Sequence, residues 1–140
     1  MRIGITGTKT YENRIKIKDF LFKLKSHGDD THRLHVDDIV IIGLGEKDGA
    51  DRYVKRFALE FGYIYKEANP PHTPANLYSM LSEMHYNRPY SPKNFFIRNK
   101  IYAQYIDKCV IFDDSNQKDT KVAAIINALT KARKQTVIIN

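Results

Sequence analysis

The run Ile39-Val-Ile-Ile42 constrains the fold more than any other stretch of this 140-residue chain. Four consecutive apolar residues, without polar alternation, suit a strand buried on both faces, as in a parallel sheet. Cys109-Val-Ile-Phe112 repeats the pattern. Such strands need a helical layer on each side, and the sequence supplies the helices. Ile17, Phe20, Leu21 and Leu24 fall on one helix face, as do Val54, Phe57, Ala58 and Phe61, and again Val122, Ile125, Ile126 and Leu129. The opening residues from Arg2, the stretch Tyr63 to Glu67 and the closing Thr136 to Ile139 complete five strands. Strands alternating with helices predict an α/β, mainly parallel five-stranded sheet covered on both faces. Right-handed crossovers give an expected order of 3-2-1-4-5.

One domain is expected at this length. Thr73-Pro74, a capping hydroxyl followed by proline, predicts a further helix carrying Leu77, Met80, Leu81 and Met84, within a Pro-rich helical insertion at about 69–93. Another helix is expected from about Asn94. Ser26-His27-Gly28 ends the first helix with a glycine cap. His32 and His35, in the loop that follows, have no carboxylate or thiol partner at metal-binding spacing, so no metal is expected. The single cysteine, Cys109, excludes a disulfide framework and reads as a buried strand residue. The opening residues read as a strand rather than a signal peptide, and no apolar run approaches a membrane span. A cytoplasmic chain without membrane association is expected.

The formal charge of +7 and pI of 9.4 favour anionic partners, nucleotide or nucleic acid. The cations are scattered, with Lys16, Lys18, Lys23 and Lys25 on the polar side of the first helix. They form no basic tail or arginine-rich run.

In the expected topology, three polar loops leave the carboxyl edge of the sheet, where ligands of open α/β sheets bind. Gly7-Thr8-Lys9 stands between a strand and a helix, an arrangement whose backbone N–H groups can hold an anion. Gly45, Gly49, Ala50 and Asp51 follow the second strand. Asp51 suits either a sugar hydroxyl or a cap on its own helix. Asp113 and Asp114 follow the fourth strand and suit a hydrated cation, a general base or simple capping. Arg98 and Asn99 join this edge because the helix before strand four begins there, and Arg98 offers a planar fork for phosphate or carboxylate. Glu46 is a catalytic candidate, and Tyr11 and Tyr90 are candidates for stacking on a base.

Gly-Thr-Lys after strand one, Gly45-x-x-x-Gly49-Ala-Asp51 after strand two, and Arg98-Asn99 before strand four resemble the YspA/YpsA-related branch of the SLOG superfamily. The match runs over nearly the whole chain in the same order. It implies a Rossmann-like three-layer sandwich that binds nucleotides or nucleotide-derived ligands, with a homodimer or higher homo-oligomer as the expected assembly, the Met80/Met84 face serving for contact. Relatives include cytokinin-activating phosphoribohydrolases and the DNA-processing protein of natural transformation. Lys9 replaces the branch's arginine, and Glu46 stands where its second middle glycine falls. The hydrolases' Pro-Gly-Gly-x-Gly-Thr is absent, which argues against their mechanism, while Thr120 retains one candidate phosphate contact.

The resulting expectation is a protein that senses or sequesters a nucleotide-derived small molecule, with no resident cofactor; a sponge in phage–host conflict is one form of it. Lys9 and Arg98 would meet phosphate, and Asp51 the sugar. The alternatives are an N-glycosidic hydrolase or transferase using Glu46, Asp51 or Asp113, and a nucleic-acid-binding module.

Overall fold

The strand runs become one sheet in the computed structural model, which describes residues 1–27 and 38–140. The Gly28 cap and the loop histidines His32 and His35 lie outside the described residues. In chain order the elements are β1 (Arg2–Gly7), α1 (Arg14–His27), β2 (Val40–Gly43), α2 (Ala50–Glu60), β3 (Ile64–Glu67), α3 (Lys93–Tyr105), β4 (Lys108–Phe112), α4 (Thr120–Lys131) and β5 (Gln135–Ile139). All adjacent strands are parallel, in the expected order β3-β2-β1-β4-β5. None of the described helices is long and apolar enough to cross a membrane.

Alternation along each strand divides the core in two. Ile3, Ile5, Ile41, Val110 and Phe112 meet Ile17 and Leu21 of α1 and Val54 and Phe57 of α2. Ile42, Cys109 and Ile111 meet Tyr102 of α3 and Val122, Ile125 and Leu129 of α4. Gly4 lets Tyr102 lie beneath the central strand, because a Cβ there would collide with the phenol oxygen. That hydroxyl donates to the Ile42 carbonyl at 3.1 Å. Cys109 is fully buried, and burial pushes its thiol pKa up to about 12, so it packs as an inert apolar residue.

The helix expected from Thr73 does not form. Between β3 and α3 the chain makes turns, a bridge from Glu67 to Ser79 and a single 3-10 turn at Glu83–His85. The Thr73 hydroxyl donates to the Pro70 carbonyl at 2.8 Å and so caps no helix. Glu67 extends the sheet instead: its N–H donates to Tyr78 O, and Met80 N–H donates to Glu67 O, both at 2.8 Å. Its carboxylate accepts from Asn76 Nδ2 at 3.0 Å and Asn69 Nδ2 at 3.3 Å. Leu77 and Met84 consequently stay 89% and 74% exposed, while Met80 packs on the α3/α4 core, so no Met80/Met84 helix face exists. The segment is a strap pinned across the carboxyl edge by β3.

Candidate functional site

The β1–α1 loop sits at the centre of the carboxyl edge, and glycines let it pack closely. A Cβ on Gly7 would strike the Phe112 carbonyl, and one on Gly49 would strike the carbonyls of Thr8 and Lys9. Gly49 has φ 66°, a conformation suited to glycine. Ala50 N–H donates to Thr8 O at 3.1 Å, so the start of α2 is met by the neighbouring loop's carbonyl. Thr8 Oγ1 donates to Asp114 Oδ1 at 2.7 Å, and Thr10 Oγ1 to the same oxygen at 2.8 Å, tying this loop to the one after β4. Gly7, Thr8, Gly49 and Ala50 therefore set the loop positions.

Behind this loop lies a buried charged cluster. The Asp51 side chain is inaccessible. Its Oδ1 accepts from Thr6 Oγ1 at 2.7 Å, and its Oδ2 meets Lys121 Nζ at 2.7 Å. Both oxygens are thus engaged within the protein, and neither caps α2. Burial raises the Asp51 pKa, against the pull of Lys121 and Thr6. Lys121 Nζ also donates to Gly7 O at 3.1 Å and lies 3.4 Å from Glu46 Oε2. Three acceptors match its three N–H donors.

Asp113 is likewise engaged at home. Oδ1 accepts from Ser115 N at 2.8 Å and Ser115 Oγ at 2.5 Å, and Oδ2 accepts from Gln117 N at 2.7 Å. Burial raises its pKa, but the bonds from Ser115 and Gln117 outweigh it and the net direction is down. Thr120 is exposed at the start of α4, whose cap is Asp119, accepting from Val122 N at 3.0 Å. Tyr11 is buried and packs edge-on to Phe112 at 5.5 Å, leaving no open face for a base there.

Arg98 is different. It is 4% exposed, yet among the described residues no carboxylate lies within 4 Å of it. Its Nε donates to Asn99 Oδ1 at 2.9 Å, and Nη1 reaches Ala68 O at 3.5 Å. Burial lowers its pKa, opposed by the more distant charges of Glu46 and Asp51. A guanidinium has five N–H donors, and these two contacts leave most of them for another acceptor. Asn99 acts on this group by orienting it.

Arg98 lines a cleft of about 400 Å³ together with Lys9, Gly45, Glu46, Asn69, His72 and Phe95, among others. Lys9 is exposed on its rim, and Glu46 is 26% exposed. Four of the sequence-derived candidates thus share one cavity: Lys9, Gly45, Glu46 and Arg98. His72 and Phe95 were not anticipated. Phe95 carried a usable signal, because it stands three residues before Arg98 and so shares its helix face. Among the described residues, no three His, Cys, Asp or Glu side chains gather as a metal site. A groove of similar volume between α3 and α4 is lined by Phe96, Lys100 and Lys131, all exposed, and lacks the buried cation that marks the carboxyl-edge cleft.

No family model matches the sequence, and no curated protein matches it. Two solved structures of the molybdenum cofactor carrier protein from Chlamydomonas reinhardtii are similar in fold. One has a TM-score of 0.61 at 20% identity, covering 99% of this chain and 75% of that one. The other has a TM-score of 0.58 at 20% identity, covering 98% and 74%. Both share the Rossmann-like α/β architecture with this chain.

Proposed function

We propose that the chain binds a phosphate-bearing small molecule of the nucleotide-derived class in the cleft at the carboxyl edge, with Arg98 as its principal anion contact and Lys9 as a second. The observation that carries this reading is a guanidinium 4% exposed and lacking a carboxylate partner among the described residues. Burying a charge is costly unless it is compensated. A phosphate entering the cleft supplies that compensation through paired, charge-assisted hydrogen bonds, and Asn99 already holds the fork in place. The similar fold of a protein that carries the molybdenum cofactor supports a small-molecule role.

Binding is favoured over glycosidic-bond chemistry by the fate of the carboxylates. Such chemistry uses two carboxyl groups flanking the bond. Of the three candidates, Glu46 lines the cleft, whereas Asp51 is inaccessible and Asp113 is engaged by its own loop.

Native mass spectrometry of gently purified protein, followed by denaturation and identification of the released species, tests the reading. A stoichiometric phosphorylated ligand, absent from Arg98→Met, is the expected result. Empty protein that also binds no mono-, di- or cyclic nucleotide more tightly than about millimolar, the affinity of a weak contact, contradicts it.

A further inference from the structure

The strap and the first turn of α3 bring two aromatic rings, His72 and Phe95, to the cleft, with Tyr90 packed against His72. His72 packs edge-on against Tyr90 at 4.9 Å and against Phe95 at 5.3 Å between centroids. The Arg98 guanidinium carbon lies 5.8 Å from the Phe95 centroid. His72, Phe95 and Arg98 line the same cavity, and Phe95 remains 38% exposed. An aromatic surface and a buried cation are therefore held one helical turn apart on a rigid element.

Hydrogen bonding fixes the imidazole as well. Asn94 Nδ2 lies 3.2 Å from the Pro89 carbonyl and 3.1 Å from His72 Nδ1. A carbonyl only accepts, so the amide nitrogen faces it, and the second amide hydrogen goes to Nδ1. Nδ1 thus acts as acceptor, and the neutral ring carries its proton on Nε2. His72 offers the cleft a flat ring with a donor on its edge.

We propose that this aromatic pair is a base subsite: a planar heterocycle stacks on Phe95, with the His72 ring, inclined at 74° to Phe95, meeting its edge, while the phosphate of the same molecule meets Arg98. The pair then selects nucleotide-like phosphates over sugar phosphates, and the Nε2–H of His72 is the donor for a ring nitrogen or carbonyl of the heterocycle. This rests on the anion-binding reading and adds to it the side chains that recognise the heterocycle. Base–aromatic stacking tolerates different bases, so the pair discriminates the presence of a heterocycle more than its identity.

Calorimetric titration with ribose 5-phosphate and adenosine 5′-monophosphate separates the two readings, since the probes share a phosphate and differ in the base. The nucleotide should bind at least about tenfold more tightly to the parent protein, in line with the worth of one stacked base. Phe95→Leu should remove most of that advantage, weakening the nucleotide clearly more than ribose 5-phosphate, and Arg98→Met should weaken both probes. In case Phe95→Leu perturbs folding, proton NMR of the nucleotide with the parent protein reads the same contact: upfield shifts and strong saturation transfer at the adenine H2 and H8 are expected. Equal affinities for the two probes, both reduced by Arg98→Met, or saturation confined to the ribose protons, would overturn the base subsite and leave the anion site standing. Failure of both probes to bind would overturn both.

Discussion

Asp51, in the first turn of α2, and Arg98, in the second turn of α3, stand at the same edge of one sheet, and both are almost completely buried. Burial acts on them in the same sense, raising the pKa of the acid and lowering that of the base, so each charged form is disfavoured. Their surroundings differ. Asp51 has Lys121 at 2.7 Å and the Thr6 hydroxyl at 2.7 Å. Arg98 has an amide oxygen and a distant carbonyl. Compensation for one is built into the fold; for the other, in the reading we propose, a ligand supplies it. Burial alone therefore does not mark a binding residue; the tally of its partners does.

Removing the internal partner should produce the largest effect. Lys121→Met leaves Asp51 buried without its cation and should cost about 3–5 kcal/mol, the usual penalty for breaking a buried pair, read from urea unfolding. A loss below about 1 kcal/mol, the scale of an exposed pair, would break the contrast with Arg98. Glu67 sharpens it as a third buried charge, 1% exposed and held by Lys55, Asn69 and Asn76. Burial raises its pKa, but those bonds carry the net direction down from 4.5. A depressed folded-state pKa means that the carboxylate contributes stability above the unfolded value and loses it as pH falls through the folded one. Glu67→Gln should thus cost about 1–3 kcal/mol near neutrality, and its gap from the parent should narrow below pH 4.5; a gap that widens on acidification would contradict the assignment. The smallest effect is expected at α4. Asp119→Ala should cost about 1 kcal/mol as a lost cap, whereas Thr120→Ala should leave both melting temperature and ligand affinity nearly unchanged.

The sheet was legible because short apolar runs such as Ile39–Ile42, alternating with amphipathic helices, suit strands covered on both sides, and right-handed crossovers then order the strands. Arg98 was legible for a topological reason: the helix preceding a parallel strand begins at the strand's carboxyl edge. The strap was misread because Leu77, Met80, Leu81 and Met84 keep helical spacing by coincidence, while bonds to Glu67 decide the path. Local pattern lost there to tertiary hydrogen bonding. The engagement of Asp51 could not be read locally either, since its cation comes from α4, seventy residues later. His72 and Tyr90 meet only because the strap folds back, through Asn87 N–H to Thr73 O at 3.0 Å and Arg88 N–H to Pro71 O at 3.0 Å.

We propose that the buried Arg98 guanidinium serves a ligand and not the fold. Measuring unfolding free energy and adenosine 5′-monophosphate affinity on the same preparations of parent and Arg98→Met tests it most directly. Stability equal to or above the parent's is expected, since an apolar side chain replaces a charge without a carboxylate partner among the described residues, together with an affinity loss of at least about tenfold, a modest value for losing a charged hydrogen-bonded contact. A variant that loses several kcal/mol of stability, a loss on the scale of a broken buried pair, while binding the nucleotide as tightly as the parent would contradict it.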